Sequence, residues 1–148
     1  ENALLYEMKK LGFKLLHVPT LRVWHQRRPL FKPFLKQITW YAHGRACLIK
    51  KERRLLKPIY ALPSLFVLGL IAGLLLSLMN PLILLLYSSV IFLYLLLSAY
   101  ASIEVALREK TEMKVIPILM LGFPLIHIAY GIGFLYGLIG GRYRYSLA

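Results

Sequence analysis

From Pro58 to Ile103 the chain carries no charged side chain, 46 residues in succession. No other feature restricts the fold as much, because about 20 uncharged, apolar residues are enough for one helix to cross a hydrocarbon core of roughly 30 Å. Buried helices of a soluble domain are the competing reading, but runs this long and uncharged are rare outside bilayers. Asn80 and Pro81 split the run. Two apolar helices are therefore expected, at about 59–79 and 82–103, joined by a very tight turn.

A third apolar stretch, Val115 to Gly141, is interrupted by His127. It is a poorer helix former than the others, since it holds Pro117, Pro124 and glycines at 122, 131, 133, 137, 140 and 141. Two outcomes stay open: a kinked third span at about 115–139, or a segment that breaks and turns back. Between the second and third stretches, Ser102 to Lys114 carries three acids and three bases and is expected at the aqueous surface as a short helix or loop. Gly69 and Gly73 form a small-xxx-small pair that lets a partner helix approach closely.

The net charge of +13 is unevenly placed: residues 1–57 hold 14 of the 19 Lys and Arg against three Glu, a local charge of +11. Such a block attracts polyanions, whether nucleic acid, anionic lipid or a phosphorylated substrate. Its position beside apolar spans favours lipid and phosphate, and no nucleic-acid-binding module is legible with it. By the positive-inside rule the basic third is cytoplasmic in an integral protein of the cell membrane. A third full span then leaves Arg142 and Arg144 outside, against that rule. Cys47 is the only cysteine, which excludes an intrachain disulfide and leaves it as a small core or lipid-facing residue. The chain opens on Glu1 with no signal-like segment and is expected to begin inside a larger protein.

Within the basic third, apolar Leu4, Leu5, Met8 and Leu11 precede Gly12, the pattern of a helix closed by a glycine C-cap. Phe13 to Val18 and Leu21 to His25 read as two short strands. Phe31, Phe34, Leu35, Ile38, Tyr41, Ala42 and Leu48 then recur every three or four residues, which predicts a helix running to about Lys50 with Lys32, Lys36 and Arg45 off its apolar stripe. That stripe faces either a membrane interface or a soluble domain. The cluster Lys50 to Lys57, KKERRLLK, follows as a basic collar.

Taken in order, an acidic residue and a helix, then GFKLLHVP, LRVWH, RRPLFKPFLKQ and YAHGR, with HIAYGIGFLYG near the end, make the chain resemble the C-terminal part of family 2 glycosyltransferases with membrane tails. The resemblance covers nearly all 148 residues. It implies a mainly α membrane protein: the C-terminal edge of a GT-A catalytic domain at 1–28, a short α/β remnant; an amphipathic interface helix and collar at 29–57; and a membrane domain of two or three transmembrane helices at 58–148. The donor-binding DxD motif of that family is not in this sequence. The chain is therefore expected to be a fragment that is inactive alone.

The resemblance also assigns roles. Glu1 falls at or beside the family's catalytic base, a carboxylate that takes the acceptor hydroxyl's proton as the oxygen attacks the sugar. Either Glu1 is that base, or Asn2 stands in its place. His25 corresponds to a histidine near the metal and diphosphate, implying a divalent cation, Mg or Mn, held mostly by residues absent from this sequence. Arg27 and Arg28 suit phosphate oxygens or lipid head groups. Gln37, Trp40, Tyr41 and Gly44 share the spacing of a Q-x-x-R-W-x-x-G signature, with Trp40 at the arginine position and Arg45 able to supply that charge. The implied partners are a nucleotide-sugar donor, a lipid-linked or polysaccharide acceptor, membrane lipids and other helices, and the implied reaction is sugar transfer at the cytoplasmic membrane face. The rival is a non-enzymatic membrane anchor or assembly module that binds anionic lipid.

Overall fold

The structure is a computed structural model that describes residues 2–24, 29 and 31–140. Among them the secondary structure is helical: α1 (Asn2–Lys10), α2 (Lys32–Lys51), α3 (Leu62–Ser77), α4 (Pro81–Arg108) and α5 (Ile116–Ile139). Single 3-10 turns at Arg53–Leu55, Pro58–Tyr60 and Met113–Val115 link them.

The predicted glycine cap is present. Gly12 takes φ 85°, its N–H donates to Lys9 O and the Phe13 N–H donates to Met8 O, both at 3.0 Å, so two end carbonyls of α1 are satisfied. Asn80 starts α4 as its N-cap by accepting from the Leu82 N–H at 2.8 Å, with Pro81 at the first helical position where its missing donor does no harm. In place of the two expected strands, 13–18 and 21–24 are irregular, and the remaining residue, His25, lies outside the described residues. A strand persists only where its backbone groups meet a partner ladder. Among the described residues no ladder is formed here: the Leu21 N–H closes a turn on Val18 O, and Leu16, Leu21, Val23 and Trp24 are exposed.

α4 and α5, the latter with its leading 3-10 turn, are long and apolar enough to cross a membrane, and only 6% of the most apolar window of each is buried within the chain. A core helix of a soluble protein has most of that surface covered, so the apolar exterior of these helices suits lipid rather than water. α3 is shorter, at 16 residues or about 24 Å. The charged stretch after Ser102 is divided: α4 continues through Glu104 to Arg108, and 109–112 form an exposed turn beyond it.

α3 and α4 form an antiparallel hairpin. Gly73 lies against the Tyr87 ring, the Tyr87 hydroxyl donates to Leu70 O at 3.3 Å, and Phe66 packs on Tyr94 with ring centres 4.7 Å apart. α5 leaves the end of α4, crosses the hairpin and continues to α2. Ser98 Oγ donates to Met120 O at 3.2 Å, Tyr94 Oη and His127 Nδ1 are 2.9 Å apart, and Ser64 Oγ donates to Gly131 O at 3.2 Å. In an apolar surrounding each such polar side chain needs a partner, and the small serines let the helix backbones supply it. His127, the histidine of that apolar segment, is thus taken up by an interhelical hydrogen bond.

The glycines that make α5 a poor helix former are its packing device. A side chain at Gly131 would run into Pro63 O and Val67, one at Gly133 into the Thr39 backbone, and one at Gly137 into Ala46 and His43. α3 and α2 therefore approach α5 at backbone distance. The sequence-predicted stripe of α2 is correspondingly buried only in part. Its member Ala42 is buried together with Ala46, Cys47 and Ile49, while Phe34, Leu35, Ile38 and Leu48 are half-buried and Phe31 and Tyr41 exposed, because a glycine surface selects small side chains rather than the most apolar ones. Lys50 Nζ donates to Gly137 O at 3.4 Å, so α5 ends beside the basic end of α2.

Candidate functional site

The face of α2 adjoining that buried seam, Ile38, Tyr41, Arg45 and Leu48, floors a cleft of about 660 Å³. Trp40 and Gly44 lie at its edge, the collar turns contribute Arg54, Leu55, Lys57 and Tyr60, α5 adds Tyr130 and α1 adds Tyr6. Its floor is fixed by the core beneath, where Ala42, Ala46, Ile49 and Phe134 cluster against Leu55, Tyr60 and Tyr130, with the Tyr130 and Phe134 rings stacked. The cleft is therefore built where the basic helix, the collar and the apolar bundle meet.

Its polar groups are cations and phenols. Among the described residues no Asp or Glu lines it and no ion pair engages Arg45, Arg54 or Lys57, although the Glu52 carboxylate beside Tyr6 is near enough to Arg54 to be lowered by its charge. The Arg45 guanidinium lies over the Tyr60 ring, 4.4 Å from its centre. One face of the fork is thus occupied by an aromatic ring while its edge N–H groups stay available for an anion. Gln37 does not line the cleft but braces it: its Nε2 donates to the Tyr41 hydroxyl at 2.6 Å.

α1 is tied to the start of the collar by two polar contacts. The Tyr6 hydroxyl donates to Glu52 Oε2 at 2.7 Å, and Lys51 Nζ pairs with Glu7 Oε1 at 2.8 Å. The hydrogen bond from Tyr6 holds the Glu52 carboxyl below its ordinary range, and Lys51 does the same for Glu7. The same bond to Glu52 raises the Tyr6 phenol. Tyr6 both lines the cleft and anchors α1, so the basic first helix is connected to the site.

Of the residues singled out from the sequence, Trp40, Tyr41, Gly44 and Arg45 are brought together in one cleft, and Gln37 acts on Tyr41. Glu1, His25, Arg27 and Arg28 lie outside the described residues. Sequence reasoning missed Tyr60 and Tyr130 as partners of Arg45 and treated Arg54 and Lys57 as a diffuse collar. For Tyr60 the available signal was its place at the edge of the charge-free run, the pattern of residues that sit at a membrane interface, whereas Tyr130, in the middle of the third apolar stretch, carried no such signal. Cys47 is core: burial raises its thiol, and its sulfur lies 3.8 Å from His43 Nε2. Among the described residues no three His, Cys, Asp or Glu side chains converge as metal ligands.

No protein-family model matches the chain, and no curated protein or solved structure is similar to it at a significant level.

Proposed function

We propose that the chain is the membrane-side part of a family 2 glycosyltransferase, in which the cleft holds a lipid-linked or polysaccharide acceptor against a GT-A active site on the cytoplasmic face of the cell membrane. The observation that carries this reading is the convergence of Trp40, Tyr41, Gly44 and Arg45 in one cleft next to the first residues of the apolar bundle. Aromatic rings there suit the face of a sugar, and Arg45 suits a phosphate. Glu1 is the base in this scheme, taking a proton from the acceptor hydroxyl, and Arg27 and Arg28 steady the phosphates. The nucleotide-sugar donor and a divalent cation, Mg or Mn, belong to the catalytic half, with His25 on its near side. The exposed apolar residues of 13–24 are what the edge of such a domain covers when the rest of its sheet is present.

The α3–α4 hairpin enters the bilayer and returns, so the basic third and the charged end of α4 share the cytoplasmic face. α5 begins and ends on that same side. Two contacts support this course: the bond from Ser98 to Met120 near its start, and the bond from Lys50 to Gly137 near its end. Arg142 and Arg144 then follow the positive-inside rule rather than breaking it.

One observation favours the non-enzymatic rival: the described cleft is lined by cations and contains no carboxylate. Membranes carrying the natural protein decide between them. On incubation with a panel of radiolabelled nucleotide-sugars they incorporate label into lipid or polymer, and Trp40→Ala or Arg45→Gln lowers incorporation about tenfold or more with membrane insertion unchanged, the loss expected for a charge-assisted contact. Equal incorporation by variants and parent sinks the acceptor role of the cleft. No incorporation from any donor hands the protein to the anchor reading.

A further inference from the structure

We propose that the cleft binds the phosphate monoester head group of a membrane amphiphile, with Arg45, Arg54 and Lys57 taking the phosphate and the apolar floor taking the root of its tail. The inference rests on the membrane placement above and not on sugar transfer. Three cations line the cleft against one neighbouring carboxylate, Glu52, which Tyr6 binds and whose charge acts on Arg54, so a surplus of positive charge remains, which a dianionic head group neutralises better than a zwitterionic one. Arg45, stacked on Tyr60 at 4.4 Å, is held flat with its N–H edge free of ion pairs, the arrangement suited to bidentate contact with phosphate oxygens.

The rest of the cleft identifies the ligand as an amphiphile. At about 660 Å³ it is far larger than a phosphate ion and falls in the range of sites for small organic molecules. Below the cations its surface is Ile38, Leu48, Ile49 and Leu55, which a water-soluble phosphate would leave uncovered. Tyr60 precedes the first residue of α3 by two positions, so the cationic mouth stands at the level where apolar helix begins. A ligand with its charge in the mouth and its chain toward the bundle uses both surfaces.

The chain placed in phosphatidylcholine nanodiscs tests this, with Trp24→Phe leaving Trp40 as the only tryptophan. Dihexanoyl phosphatidate shifts Trp40 emission saturably, and Arg45→Gln or Arg54→Gln raises the midpoint about tenfold, the loss expected for one charge-assisted contact. Arg45→Lys, which keeps the charge and the fold but not the fork, gives an intermediate midpoint. Lys36→Gln, on an exposed turn of α2 outside the cleft, leaves it unchanged. A shift that never saturates overturns the proposal, and so does an equal midpoint for glycerol 3-phosphate, which would mark a site for soluble phosphate. An equal loss in Lys36→Gln overturns it in favour of diffuse surface charge. Saturable binding by the chain, together with no incorporation from any donor in membranes carrying the natural protein, sinks the transferase reading and leaves this one intact.

Discussion

The seam between α2 and α5 and the hairpin of α3 and α4 are both helix pairs, yet they are held by opposite means. In the seam, Gly133 and Gly137 bring α5 against the backbone of Thr39 and His43, and the buried side chains are small. In the hairpin, the Tyr87 ring fills the space over Gly73 and Phe66 packs at a tilt on Tyr94, while Leu65, Leu68, Ile71 and Leu93 remain exposed. The seam tolerates almost no added volume. The hairpin turns most of its surface outward to whatever solvates it, and lipid is the solvent that suits leucine.

The difference is sharpest in topology. With Cys47→Ala as background, cysteines at Met79 in the hairpin tip and at Gly140 after α5 are placed in sealed vesicles with a membrane-impermeant maleimide. The hairpin tip labels from the side opposite Lys57→Cys, and Gly140→Cys labels from the same side as Lys57→Cys. Labelling of positions 79 and 140 from one side would make α5 a full span and break the contrast between the two pairs.

Next in size is packing. Gly133→Ala forces a methyl into the Thr39 backbone and destabilises the chain by about 1–3 kcal/mol, the usual range for overpacking. Gly69→Ala meets nothing within 4 Å and changes stability by less than about 0.5 kcal/mol, as expected of an open surface position. Unfolding by graded detergent denaturation measures both. Equal losses would mean that Gly69 meets a partner helix, as its small-xxx-small spacing with Gly73 suggests.

The smallest effect concerns how α1 rides on the seam. Glu7 and Glu52 are held below the ordinary 4.5, so what they contribute is complete above that value and lost as pH falls through their lowered values. Tyr6 is raised above 10.0, so its contribution is complete below that value and lost as pH rises through its raised one. Anisotropy of a dye on Leu4→Cys, with Cys47→Ala, is therefore highest between about pH 4.5 and 10 and falls at both ends. A flat profile would detach α1 from the collar.

Much of this fold is legible in the sequence because it depends on single segments. The charge-free run, the Asn80–Pro81 break and the Gly12 cap each act within a few residues, and the helices bounded by them follow. The two expected strands did not form because a strand depends on a partner elsewhere, which alternation of side chains does not supply. The site was half legible for the same reason. Trp40, Tyr41 and Arg45 share one helix and their spacing brings them together, but Tyr60 and Tyr130 reach Arg45 and its cleft from other elements.

Composition and periodicity by themselves determined that this chain is helical, basic at its start and apolar beyond, since charge and hydrophobicity belong to each residue wherever it packs. Only the tertiary structure decided which face of α2 is buried and what the glycines of α5 are for. A glycine weakens an isolated helix, and its value appears when another backbone moves into the space its missing side chain leaves, as Thr39 does at Gly133 and His43 at Gly137.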